Sequence, residues 1–392
     1  MSDVTLSEVA RRIEVTPATL RRWVRDGIVP LRDGSWTPAA VAHARIVARL
    51  RSRGHSLEEL RRASESGRLA YGYMEDLFPG DEAHLTLDDA VRETGLDREL
   101  IERMWSGIGF NPAQLDSISE DDLQLLRYVG AVLAAGFPHE AFMQLIRVYG
   151  HAMAQIADAE VRLFHLYVHE PLIRESVPGL EIAEEMQGLA RDLLPLASPI
   201  MDHLHHRFLQ HFVEQDVVGH LESTGADEDL GLGRLRVAIA FADLAGYTRL
   251  TEEAGDEQAL GLVERFVETV GHTLPEDARI VKTIGDAVMI VSSDPGALCE
   301  WAVGFQELQS ERPLPRIGIH YGAVLYRDGD YYGSAVNLAA RVGARAAGRE
   351  VLVTREVADA ASRHLDFERI GEVRLKGFTN PTELLLARPA GD

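Results

Sequence analysis

Two carboxylates stand where the chain could concentrate charge on one point. The run "RLRVAIAFADLAGYTRL" opens with apolar residues, Val237 to Phe241, in the pattern of a buried strand, and that strand ends at Asp243. Gly246 and Tyr247-Thr248 then open a helix, whose first backbone N–H groups have no helical partner. A carboxylate at a strand end, followed by free N–H groups, suits Mg²⁺ and phosphate. The run "ARIVKTIGDAVMIVSS" reads as strand, tight turn at Gly285-Asp286, strand. Asp286 therefore sits at a hairpin tip, where it could face Asp243. Two converging carboxylates should not both be buried without a cation. Two divalent ions would offset them and clamp the attacking and leaving oxygens of a phosphoryl transfer.

The elements that must hold these groups lie in residues 234–388, where strand patterns alternate with amphipathic helices. Within this region "FADLAGYT", "KTIGDAVM", "GIHYGAV", "GDYYGSAVNLAARV" and "VRLKGF" follow one another in the order and spacing of class III adenylyl cyclases. The region, about 155 residues, resembles that family's catalytic domain, which implies an α+β, ferredoxin-like fold. The resemblance implies the following roles. Asp243 and Asp286 would hold two Mg²⁺ or Mn²⁺ ions, helped by the carbonyl of Leu244, and the N–H groups from Ala245 through Gly246, Tyr247 and Thr248 would cradle phosphates. Lys282 and Asp330 would read the base. A Lys donor and an Asp acceptor match N1 and the 6-amino group of adenine, so ATP is favoured over GTP. Asn337 and Arg341 are four apart on a helix and share a face. Asn337 would orient the ribose, Arg341 would stabilise charge on the α-phosphate, and Lys376 would neutralise the terminal phosphates. In the family, one subunit supplies the metal aspartates and the other supplies the base-reading pair, Asn and Arg. A homodimer with two sites is therefore implied.

The rest of the chain is helical in pattern. Residues 1–75 and 85–222 are separated by Phe78-Pro79-Gly80-Asp81, and a second linker runs from Ser223 to Gly233. The two regions begin as copies of one unit: "TLSEVARRIEVTPATLRRWVRDGI" from Thr5 aligns with "TLDDAVRETGLDRELIERMWSGIG" from Thr86, an offset of 81. In the first copy, Val9, Ala10 and Ile13 form an apolar stripe, and Thr16-Pro17 opens a second helix. "LRRWVRDGIVP" resembles the start of MerR-family regulators. The resemblance implies a winged helix-turn-helix that binds duplex DNA, with the wing near Leu31 to Trp36. The candidate contacts are Arg11, Arg12, Arg21, Arg22, Arg25 and Arg32, which equally suit a solvated helix face. The second copy has a poorer basic face. Residues 85–222 as a whole are similar to the regulatory domain of soluble actinobacterial-type cyclases. Nine of the 15 histidines fall between His139 and His220. They suit proton sensing, a metal site, or plain helix surface.

Composition sets limits. Net charge is −22, which argues against non-specific nucleic-acid binding by the whole molecule. Residues 1–70, however, carry 13 Arg against 8 Asp and Glu, so the basic head alone could meet an anionic partner. The most apolar stretch, Leu123 to Phe137, is too short to span a membrane and contains Arg127. One cysteine, Cys299, and no secretory signal pattern suit a reducing cytosol. The expectation is a multidomain cytoplasmic enzyme: a winged helix-turn-helix head, an all-α regulatory middle and a class III cyclase domain. The alternatives are a transcription regulator whose cyclase-like domain senses a nucleotide, and a head that binds another protein.

Overall fold

Thr5 starts the first helix by accepting the Glu8 N–H on its hydroxyl, and Thr16 starts the second in the same way through Thr19. The two helices, α1 (Leu6–Arg12) and α2 (Pro17–Arg25), bury Val9, Ala10, Leu20 and Trp23 against one another. A single antiparallel bridge, Arg32↔Ser35, follows around Asp33 and Gly34. Then come α3 (Pro38–Ser52) and α4 (Leu57–Glu65). The computed structural model describes residues 5–69, 85–175, 179–222, 233–309, 312–361 and 364–391. The expected linker at Phe78 to Asp81 lies outside these residues, as does nearly all of the second.

The unit is repeated. Helices α5 (Leu87–Thr94) and α6 (Arg98–Ile108), the bridge Leu85↔Ile118, α7 (Glu120–Ala134) and α8 (His139–Phe164) follow the same order. Ala90, Ile101 and Met104 take the buried places of Val9, Leu20 and Trp23. Thr86 caps α5 as Thr5 caps α1. Gly54 (φ 98°) and Gly136 (φ 95°) end the third helix of each copy in the left-handed region, where a side chain is disfavoured. Each copy closes its own core.

A π-turn, His165–His169, joins α8 to α9 (Glu170–Arg174). A long helix follows, α10 (Gly179–Glu222), which runs through Pro195 and Pro199. Ile182, Ala183 and Met186 of α10 pack on Ala39 and Ala42 of α3. Further along, Ile200, Leu204, Phe208 and Phe212 are exposed. Among the described residues no helix is long and apolar enough to cross a membrane.

Contacts divide the chain into two units, Met1–His206 and Arg207–Asp392. The second is built on an eight-stranded sheet: β1 (Arg234–Leu244), β2 (Ala278–Ile284), β3 (Ala287–Ser292), β4 (Pro315–Arg327), β5 (Asp330–Tyr332), β6 (Val351–Thr354), β7 (Leu365–Val373) and β8 (Thr382–Pro389). The order is β2-β3-β1-β4-β6-β8-β7, with β5 on β4, and only the β4–β6 pairing is parallel. Even-numbered β1 residues such as Ala240 face α12 (Asp256–Thr273) and α13 (Pro295–Leu308). Cys299 is buried in that core, which pushes its thiol up to about 12 and makes it a packing residue. Ile239 faces the other way, onto α14 (Ser334–Arg345). There α14 lies directly on β4: a Cβ on Gly318 would stand 1.9 Å from the Gly343 nitrogen. Two further helices, α11 (Tyr247–Ala254) and α15 (Arg355–Ala360), complete the unit.

Candidate active site

β1 delivers Asp243 to the end of the sheet, in register with Arg316 on β4. The Arg316 guanidinium donates to Asp243 Oδ2 from Nη2 at 2.5 Å and from Nε at 3.1 Å. Asp243 Oδ1 is buried and has no donor among the described residues. The β2–β3 hairpin turns through Gly285 (φ 63°) and brings the Asp286 carboxyl beside Asp243. Burial, and then Asp243 itself, push Asp286 up to about 6, while Arg316 pulls the other way. With both carboxyls ionised, the orphaned oxygen needs a cation; without one, a proton shared with Asp286 would serve it. The fold brings these two aspartates together. Among the described residues no three His, Cys, Asp or Glu side chains are placed to hold a metal ion by themselves. The side-chain donors here are two carboxylates, which with backbone, water or phosphate oxygens fit a hard divalent cation.

The backbone near Asp243 departs in one detail from expectation. Ala245 is not free: its N–H donates to the Leu314 carbonyl at 3.0 Å, because β1 keeps its ladder to β4 one residue beyond the strand. Peptide groups alternate along a strand, so the Leu244 carbonyl points away from β4, toward the β2–β3 hairpin. Gly246 (φ 85°) caps α11 without a side-chain bond, which leaves the first-turn N–H groups of Tyr247 and Thr248 for a ligand.

A bulge positions the second cluster. β2 pairs Ile280 with Ile290, then skips to Lys282 with Met289. Ile290 belongs to the α13 face and Met289 to the α14 face, so the extra residue turns Lys282 onto the α14 side. There its Nζ donates to Asp330 Oδ2. Asp330 Oδ1 accepts the Tyr331 N–H at 2.8 Å. Donor and acceptor thus stand side by side. Asn337 and Arg341 are exposed on one face of α14, and their side chains make no hydrogen bond or ion pair among the described residues. Lys376 is exposed between β7 and β8. Within one chain, therefore, the aspartates meet each other and Lys282 meets Asp330, while Asn337, Arg341 and Lys376 reach neither pair by a bond.

Residues 234–387 match the family model described as adenylate and guanylate cyclase catalytic domain. An adenylate cyclase of Streptomyces coelicolor is 32% identical over 299 residues, covering 75% of this chain and 76% of that one. The chain belongs to the class III adenylate cyclase family. The adenylate cyclase regulatory domain model matches residues 26–213, so in this cyclase the regulatory match opens just after α2 and takes in α3, α4 and the whole second repeat. A pH-sensitive adenylate cyclase of Mycobacterium tuberculosis is 27% identical over 365 residues, 89% of each chain. Among solved structures, the adenylyl cyclase CyaB of P. aeruginosa matches with a TM-score of 0.37 and 20% identity, over 40% of this chain and 96% of that one.

The helical unit of this cyclase places the remaining candidates. Arg11, Arg12, Arg21, Arg22, Arg25 and Arg32 are all exposed. Arg12 pairs with Glu8 and Arg25 with Asp26, each at 3.2 Å. Arg32, at the expected wing tip, is held 2.5 Å from Glu184 of α10. His169 is buried, 3.1 Å from His165 Nδ1 and 3.2 Å from the Gly67 carbonyl, and burial lowers its pKa. His43, inside the first repeat, is lowered by burial to about 4. Arg316 and Arg279 escaped the sequence reading. Both lie on strands whose partners depend on register, which single-strand patterns do not carry.

Proposed function

We propose that the chain converts ATP to cyclic AMP and pyrophosphate at sites shared between two copies of itself. The observation that carries this is the Asp243–Asp286 pair, with one buried oxygen that lacks a donor. Bound Mg²⁺ or Mn²⁺ would lower the pKa of the ribose 3′-hydroxyl and hold the triphosphate. Asp243, Asp286 and the Leu244 carbonyl are the groups that would hold them. The N–H groups of Gly246, Tyr247 and Thr248 bind phosphate oxygens at the start of α11, and Lys376 balances terminal phosphate charge. Lys282 donates to adenine N1 while Asp330 accepts from the 6-amino group, a polarity that guanine reverses. Asn337 orients the ribose so that its 3′-oxygen lies in line with the α-phosphorus, and Arg341 stabilises the charge that builds there as pyrophosphate leaves. Two features support a homodimer: the catalytic side chains of α14 have no bonding partner among the described residues, and α10 exposes a row of large apolar residues.

The test is cyclic AMP formation by the full chain and by residues 207–392, with Mg²⁺ and with Mn²⁺. Activity lost in Asp243→Ala is the expected result. If neither form makes cyclic AMP with either metal, the reading fails and a nucleotide-sensing role replaces it.

A second reading concerns the head. The turn between α1 and α2, the short Arg32↔Ser35 bridge and the unpaired Arg11, Arg21 and Arg22 among the described residues favour duplex DNA as partner. Binding should weaken steeply with salt and be lost in Arg21→Ala/Arg22→Ala. No binding by the wild type at low salt would leave the head as a protein-contact module.

A further inference from the structure

The Lys282–Asp330 pair is braced from behind. Arg279 lies before the β2 bulge and faces the same side of the sheet as Lys282 beyond it. Its Nη2 donates to the Tyr331 hydroxyl. Its guanidinium lies 5.7 Å from the Tyr331 ring centroid and 5.5 Å from that of Phe212 on α10. Tyr331 is 4% exposed, sets its ring tilted against that of Tyr326 at 5.2 Å between centroids, and bonds Asp330 through its own N–H. At the start of β2 the Gln215 side chain of α10 also donates to the Glu276 carbonyl.

These contacts matter because β5 is weakly held. It is three residues long and pairs only with the end of β4. So short a ladder does not fix a strand by itself. Side-chain anchorage must hold Asp330 in line, and the buried Tyr331 ring with its Arg279 donor is that anchorage. Phe212 also meets the guanidinium while remaining 42% exposed, so this contact can break without opening a core.

We propose that Arg279, in contact with both Tyr331 and Phe212, is a positioning residue that aligns Asp330 and Lys282 for adenine, so that base selectivity depends on where α10 sits. The proposal rests on the reading that Lys282 and Asp330 take the base. Misaligned polar groups lose discrimination between bases before they lose turnover, because the wrong base is rejected by unpaired donors and acceptors.

The experiment uses the full chain. A fluorescent ATP analogue is displaced by ATP and by GTP, and KM and kcat are measured alongside. Arg279→Ala and Tyr331→Phe should each shrink the ATP-over-GTP preference by about tenfold, with KM for ATP rising more than kcat falls. Phe212→Ala should act in the same direction and more weakly, and Arg279→Lys should recover part of the preference. Tyr331→Phe removes only the hydroxyl and decides the matter if Arg279→Ala does not fold. Lys282→Ala separates the two ideas: if it keeps the preference, base reading itself is wrong. If Lys282→Ala abolishes the preference while Tyr331→Phe and Arg279→Ala retain that of the wild type, the clamp is structural only and the proposal is overturned.

Discussion

At the scale of single residues, the site spends stability on function. Two carboxylates face each other, and one of them is pushed up to about 6 by burial and by its neighbour. Arg316 relieves part of this by holding Asp243. Asp286→Asn should therefore leave the metal-free protein at least as stable as wild type, since it removes the repulsion and keeps the shape. Cyclic AMP formation should fall about a hundredfold or more. Thermal melting in EDTA beside a turnover assay checks both halves; a lowered Tm with activity retained would contradict the assignment. The aspartates were legible in the sequence because a strand end and a hairpin tip are local features. Arg316 was not, because its meeting with Asp243 depends on the β1–β4 register.

At the scale of elements, closeness of packing sets where α14 can stand. With a Cβ on Gly318 only 1.9 Å from the Gly343 backbone, Gly318→Ala must lift the helix that carries Asn337 and Arg341. We expect a loss of about 2–4 kcal/mol in stability and a fall in kcat, read by denaturant unfolding and turnover. The helix and its face were readable from spacing, but its contact with β4 was not. The same holds for Lys282. A regular strand would have turned it toward α13, and only the bulge brings it to Asp330. In the helical unit, burial holds His43 and His169 below their usual pKa. His169 sits among His165, Glu170 and the Gly67 carbonyl. A depressed histidine stays neutral when folded and gains a proton on unfolding. Its contribution is thus complete above about pH 6.5 and is lost as pH falls from there toward the folded value. Stability of the full chain should drop between about pH 6.5 and 4, and His169→Gln should flatten the upper part of that slope. Melting curves across this range test it; a flat profile in the wild type would contradict it.

At the scale of the whole molecule, the two helical repeats were visible in the sequence because buried positions and turn glycines recur. The regulatory match from residue 26 to 213 runs from the second half of the first repeat through the second, which local patterns could not reveal because they stop at turns. Nor could they show that Arg32 is tied to Glu184 of the long helix α10. That tie connects the first repeat to the helix that continues into the catalytic unit. The catalytic account requires Asp243 of one copy and Arg341 of another to act on one nucleotide. Mixing inactive Asp243→Ala with inactive Arg341→Ala tests this most directly. Random pairing makes half the dimers mixed, and each of those has one intact site, so the account predicts recovery of about a quarter of wild-type cyclic AMP formation. A mixture no more active than its separate components would contradict it.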